Sequence, residues 1–262
     1  MTTRSAEAAL AAYESLAPVY DTMKAGNNTG NWAKLLDGVI REAGPPGVRL
    51  MDAACGTGKT TLALRDLGYK VAGFDLSPSM IAAALSRGPG VAFQVGDLLD
   101  PPPGLGRFDV VTCLDDALNY LLDPADLDRA LTGLAGLLAP GGVLVFDLNT
   151  LHAYRGVGAT TTVIMDTDTE YVVLTGTARP DHAPGERLTL DFATFSHDGD
   201  HWRRADSSHH QRHHPAADVR ALLEKAGLTV ARVYGFVDGS LFDELDEHAA
   251  DKALFVAVRA AG

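Results

Sequence analysis

The chain has 262 residues, 46% of them hydrophobic and 21% charged, which fits one globular domain, or one domain carrying a sizeable insertion. Its net charge of −12 argues against non-specific nucleic-acid binding, which needs a basic surface to neutralise phosphates. No apolar run approaches the roughly 18 residues of a membrane span, Met1 to Glu7 are not followed by a signal-peptide core, and the two cysteines, Cys55 and Cys113, read as reduced cytoplasmic thiols.

From about Ser5 to Tyr20 the spacing of Leu10, Tyr13, Leu16 and Ala17 predicts a helix. Gly26 to Asn31 reads as a loop, and Trp32 to Glu42 as a second helix, so residues 1–47 form an N-terminal helical segment. Trp32 packs this helix or lines an entrance. Strands are predicted over Val48–Asp52, Lys70–Asp75, Val91–Val95, Phe108–Leu114 and Val143–Asp147, with helices near Thr60–Leu67, Pro78–Arg87 and Pro124–Leu138. This alternation over residues 48–150 argues an α/β core: a Rossmann-like, mostly parallel sheet with helices on both faces. Beyond it the pattern changes. Thr160–Asp166, Glu170–Ala178, Arg187–Ser196 and His201–Gln211 are rich in Thr, Val, Tyr and Phe and separated by turns, the mark of an antiparallel meander. Residues 151–214 are therefore an antiparallel β insertion placed as a lid over the active site. A helix Pro215–Ala226 with a glycine C-cap, then strands Leu228–Tyr234 and Ala253–Val258, complete a seven-stranded sheet in residues 215–262.

The chemistry concentrates where the first strand meets Asp52-Ala53-Ala54-Cys55-Gly56-Thr57-Gly58-Lys59. In open α/β sheets ligands bind just beyond the carboxyl ends of the strands, and glycines there let a ligand approach the backbone. Three ligands compete. A dinucleotide site wants G-x-G-x-x-G, but Thr61 stands at the third glycine. A P-loop wants G-x-x-x-x-G-K-[ST]; Gly58-Lys59-Thr60 fits, but Ala53 replaces the first glycine. The third is S-adenosyl-L-methionine (SAM), cationic and without phosphates. Charge favours SAM: Asp52, Asp75 and Asp97 end three strands, and carboxylates there repel phosphate but suit ribose hydroxyls, an adenine amine and a sulfonium.

Asp52-x-Ala54-Cys55-Gly56-Thr57-Gly58, Asp75-Leu76-Ser77-Pro78-Ser79-Met80, Gly96-Asp97-Leu98, Phe108-Asp109-Val110-Val111 and Leu138-Ala139-Pro140-Gly141-Gly142 together resemble the ordered motifs of the class I SAM-dependent methyltransferases, in a small-molecule branch. Ala54 departs from the glycine that many members carry. The resemblance implies a cofactor site of Tyr20, Asp52, Ala54, Gly56, Gly58, Asp75, Leu76, Met80, Gly96, Asp97, Leu98 and Leu114. It places the acceptor after the fourth strand, with Asp115, Asp116, Asn119 and Tyr120, joined by Arg212 from the insertion. It also implies that Tyr13-x-x-x-Ala17-x-x-Tyr20-Asp21 closes over the cofactor.

His209-His210-Gln211-Arg212-His213-His214 is the one run that invites a metal. Alternation on a strand puts Arg212 between His210 and His214, where it would oppose a cation, so no metal is expected. The resemblance instead sets this run beside the acceptor pocket, where His210 or His209 serves as a base. The expected reaction is SN2 methyl transfer to a small molecule, with Tyr20, Asn119 and His210 as catalytic candidates. Asp115 and Asp116 favour an amine nitrogen over oxygen, since they suit a cationic acceptor. A SAM-fold protein that binds without methylating, and a P-loop nucleotidase, are the alternatives. A homodimer is possible on this reading; nucleic-acid and membrane partners are not expected.

Overall fold

The computed structural model describes residues 4–24, 28–157 and 160–261. Helix α1 (Arg4–Met23) buries Leu16 and Val19. Helix α2 (Thr29–Ala43) begins before the expected position because the Asn28 side chain accepts the Asn31 N–H at 3.0 Å, a side-chain N-cap. Thr29 to Asn31 are thus helical rather than loop, while Gly26 and Asn27 lie outside the described residues.

The core then alternates as β1 (Arg49–Ala53), α3 (Lys59–Asp66), β2 (Lys70–Asp75), α4 (Pro78–Arg87), β3 (Ala92–Val95) and β4 (Phe108–Cys113). A 3-10 turn at Ala117–Tyr120 leads to α5 (Pro124–Leu137) and β5 (Leu138–Asn149). A short helix α6 (Leu151–Val157), not anticipated from sequence, precedes the antiparallel strands β6 (Thr161–Asp166), β7 (Glu170–Gly176), β8 (Arg187–His197) and β9 (Trp202–Arg212). Helix α7 (Ala216–Lys225) and strands β10 (Leu228–Val237), β11 (Ser240–Phe242) and β12 (Lys252–Arg259) end the chain.

The large sheet has the order β3-β2-β1-β4-β5-β12-β10-β11, parallel from β3 through β5 and antiparallel beyond. It therefore carries one strand more than the expected seven; the additional β11 is only three residues long and pairs with β10. Period-2 alternation sorts the side chains. Met51, Ala53, Val111 and Cys113 join α5 and α7 on one face, while Leu50 and Val110 join Leu36, Ile40 and Leu64 of α2 and α3 on the other. Strand order reverses between β2-β1 and β4, the switch point where such sheets open a crevice at their carboxyl ends.

The four-stranded sheet β6-β7-β8-β9 is separate and antiparallel throughout. Its Met165 and Val172 pack on Leu16 and Val19 of α1.

Candidate active site

The β1–α3 loop is built from left-handed residues: Ala54 (φ 57°), Gly56 (φ 53°) and Gly58 (φ 75°). Such a run turns backbone N–H groups inwards, and Asp75 at the end of β2 collects one of them. Asp75 Oδ2 accepts the Gly56 N–H at 2.8 Å and Oδ1 accepts the Ser77 N–H at 2.9 Å, leaving lone pairs on both oxygens. Asp97 is similar, with Oδ1 accepting the Leu99 N–H at 2.9 Å. Asp52 is buried between two hydroxyls, Thr112 Oγ1 at 2.7 Å and Thr61 Oγ1. Burial pushes the Asp52 carboxyl up to about 6, against the pull of those two hydrogen bonds.

These residues surround a cavity of about 690 Å³ at the switch point, a size usual for small-ligand sites. Tyr20, Asp52, Ala54, Gly56, Asp75, Leu76, Met80, Gly96, Asp97, Leu98 and Leu114 all line it. Gly58 does not. It caps α3, and a Cβ there would come within 3.0 Å of Phe93 Cζ, so close packing against α4 and β3 explains that glycine.

On the side facing the segment after β4, Asp115, Asp116 and Tyr120 line the cavity. Asp115 and Asp116 take left-handed φ of 58° and 53°, unusual for residues with a Cβ and concentrated at functional sites. The two differ in their partners. Asp116 Oδ2 accepts Gln211 Nε2 at 2.5 Å, and Oδ1 lies 3.4 Å from Lys252 Nζ, which also pairs with buried Asp147. Asp115 has no hydrogen bond or ion pair among the described residues, and its carboxylate is free to meet a ligand.

Three expected acceptor residues are placed elsewhere. Asn119 is fully buried; its Nδ2 donates to the Arg212 carbonyl at 2.9 Å and its Oδ1 accepts the Asn149 N–H at 3.0 Å, so it ties β9 to β5. His210 points to the opposite side of β9 from His209 and bonds Thr189 Oγ1 at 3.0 Å. Arg212 shares that parity and reaches the Leu122 carbonyl at 3.5 Å. Neither lines the cavity. The other imidazoles of the run are dispersed: His213 faces Glu247, and His214 Nε2 meets the Leu121 carbonyl.

Helix α1 closes one wall with Tyr13 and Tyr20 and is pinned by two acids seven residues apart, on one helix face. Glu14 accepts from the Ser79 N–H at 3.1 Å and from the Ser77 and Ser79 hydroxyls at the start of α4, which hold its carboxyl below the usual range. Asp21 accepts Thr57 Oγ1 at 2.8 Å and pairs with Arg87 and with Lys59 Nζ at 3.2 Å. Burial would raise Asp21, but these hydrogen bonds outweigh it and its carboxyl lies below the ordinary value. The lysine of the near P-loop is thus already neutralised. An acidic rim with its one loop cation engaged fits a cationic cofactor and disfavours a polyphosphate.

Known proteins agree with this geometry. Residues 50–142 match the model of a methyltransferase domain. The methyltransferase-type protein YqeM of Bacillus subtilis (strain 168) is 28% identical over 227 residues, 84% of this chain and 88% of the relative. The structure of SAM-bound CalS10, an amino pentose methyltransferase from Micromonospora echinaspora, aligns with a TM-score of 0.70 at 26% identity, covering 99% of this chain and 98% of that one. The chain belongs to the class I SAM-dependent methyltransferases. The dTDP-3-amino-3,6-dideoxy-alpha-D-glucopyranose N,N-dimethyltransferase of Streptomyces fradiae is 34% identical over 134 residues, about half of each chain.

In this methyltransferase, other residues stand at or behind the cavity that the sequence did not single out. Lys252 lines the cavity beside Asp116 and Asp147. Burial would lower its pKa, but attraction to Asp147, Asp116 and Asp115 outweighs that and holds the ammonium well above its ordinary value. Its one signal was a charge opening the apolar run Ala253–Val258. Gln211 was hidden by parity, and parity likewise left His209 and His210 as alternatives, since alternation says which residues share a face but not which face turns inwards.

Proposed function

We propose that this enzyme transfers the methyl group of SAM to an amine nitrogen of a small molecule. The observation that carries this reading is the unpartnered Asp115 carboxylate, held in a left-handed turn and lining the same cavity as Tyr13, Tyr20 and Tyr120. A cavity that offers a carboxylate and aromatic rings attracts an amine or ammonium both by hydrogen bonding and through the ring faces. The relatives whose names specify an amino sugar or amino pentose support the same choice.

In this reading Asp75 accepts the ribose hydroxyls on its spare lone pairs, and the free Oδ2 of Asp97 takes the adenine amine. Met80 and Leu98 flank the adenine, with Leu76 and Gly96 beside them. The Ala54–Gly56 backbone and Tyr20 receive the methionine end, and Leu114 closes the reacting end. Asp52 supports the loop from below through Thr61 and Thr112. SAM supplies an electrophilic methyl on a sulfonium, so the protein's main task is alignment, which can contribute roughly 7–11 kcal/mol. Burial holds the Tyr13, Tyr20 and Tyr120 phenols well above their ordinary pKa, so they act as un-ionised hydrogen-bonding walls. Asp115 orients the amine and offsets any positive charge that it brings.

The test is S-adenosylhomocysteine formation from SAM with glucosamine, 3-amino-3-deoxyglucose and lysine, against glucose and catechol as hydroxyl acceptors. Turnover on an amine is expected, reduced about 10–100-fold in kcat/KM by Asp115→Asn, the effect of losing one charged hydrogen bond. Turnover on the hydroxyl acceptors alone would overturn the reading.

A further inference from the structure

One phenol of the acceptor wall is tied to a residue that stands behind it. Tyr120 lines the cavity, and its hydroxyl lies 2.9 Å from His209 Nδ1. His209 is 1% exposed and does not line the cavity. Tyr13 and Phe192 pack edge-on against its ring, at centroid distances of 5.3 and 4.8 Å, and its Nε2 lies 3.3 Å from Ser207 Oγ.

The proton arrangement follows from these neighbours. Burial pushes His209 down to about 4, opposed by the Asp116 charge, so at neutral pH the ring is uncharged and carries a single N–H. The Tyr13 ring packs on the Tyr120 ring at a centroid distance of 5.2 Å. A phenol is the stronger donor of this pair and a neutral imidazole nitrogen the stronger acceptor, so Tyr120 gives its proton to His209 Nδ1, and Nε2–H goes to Ser207. The opposite tautomer would set Nδ1–H against the Tyr120 oxygen and turn the Tyr120 proton into the cavity.

We propose that His209 is a positioning residue: its neutral imidazole accepts the Tyr120 O–H, fixes the direction of that hydrogen bond, and so presents the phenolic lone pairs of Tyr120 rather than its O–H to the acceptor. This rests on the amine reading above. A primary amine has two N–H donors and one lone pair. Phenolic oxygen and the Asp115 carboxylate accept the two N–H groups, and the nitrogen lone pair remains directed away from both, free to attack. An inverted Tyr120–His209 bond would leave the Tyr120 O–H to donate to that lone pair and block it.

The decisive measurement is ¹⁵N NMR of the enzyme labelled at histidine, loaded with S-adenosylhomocysteine at neutral pH. The expected His209 signature is Nε2–H with Nδ1 as a hydrogen-bonded acceptor, and Tyr120→Phe moves Nδ1 to the position of an unbonded imidazole nitrogen. A protonated Nδ1, or an Nδ1 resonance indifferent to Tyr120→Phe, overturns the proposal. The variant keeps the aromatic ring, and retained cofactor binding verifies the fold. With the amine acceptor of the preceding test, His209→Phe lowers kcat about 10–100-fold at unchanged KM for SAM. His209→Asn, whose Oδ1 restores an acceptor near the Nδ1 position, recovers most of it. Equal losses in both variants would mark a packing role instead and overturn the proposal. Failure of every amine acceptor counts against the amine reading, while the tautomer result stands independently of it.

Discussion

Asp52 shows how a single buried acid can shape the pH dependence of the fold. Burial raises its pKa from 3.8 to about 6, so the folded protein favours the protonated form relative to the unfolded chain. Its contribution to stability is complete below about pH 4 and is lost as pH rises through 6. A shift of about two units corresponds to roughly 3 kcal/mol. Urea unfolding of wild type and Asp52→Asn between pH 4 and 7 should show the wild-type advantage shrinking by that order; a difference independent of pH would contradict it. Asp115 makes a separate prediction. Its φ of 58° suits Asn but not a β-branched residue, so Asp115→Asn should keep the wild-type Tm while Asp115→Val loses about 1–3 kcal/mol by thermal unfolding. The cofactor acids were legible in the sequence because each ends an apolar strand, and strand ends face the crevice in this class of sheet. His210, Arg212 and Asn119 were not. A one-residue change of parity moves a whole strand's side chains to the other face, and only the packed partner decides it. For Asn119 the decisive fact was two backbone groups far apart in sequence, the Arg212 carbonyl and the Asn149 N–H.

Those two bonds set the behaviour of whole elements. Asn119→Ala would leave a half-buried carbonyl and a half-buried N–H without this partner and should destabilise the protein by about 1–3 kcal/mol in chemical denaturation. The join between β9 and β5 should loosen first, seen as faster amide exchange at Asn149. Helix α1 is held differently, by Glu14 at the start of α4 and Asp21 at the β1–α3 loop. In the double variant Glu14→Gln/Asp21→Asn, amides of α1 should exchange faster and S-adenosylhomocysteine should dissociate more quickly, while the β1–β5 amides stay protected. Unchanged exchange in α1 would show that its packing on Met165 and Val172 suffices. The sequence revealed α1 through its apolar spacing. The two acids looked like ordinary solvated charges, because their partners lie 36 to 66 residues away.

At the scale of the molecule, the parallel core was readable because strand and helix periods alternate cleanly from β1 to β5. The antiparallel sheet was readable because Thr, Val, Tyr and Phe segments are separated by turns. The short elements α6 and β11 carry too few residues for a period to emerge, and their positions follow from tertiary contacts: His152 N–H to the Glu247 carbonyl for α6, and pairing with Gly235–Val237 for β11. No helix among the described residues is long and apolar enough to cross a membrane. What unites the layers is the switch-point cavity, where the β1–α3 loop, α1, the segment after β4 and Lys252 of β12 converge. The central claim is that this cavity holds SAM through Asp75, and the most direct measurement is thermal unfolding with SAM and S-adenosylhomocysteine, on wild type and Asp75→Ala. At a hundredfold excess over Kd, each ligand should add about 2.7 kcal/mol to the wild type and nothing to the variant. No stabilisation of the wild type by either, or an equal gain in Asp75→Ala, would contradict it.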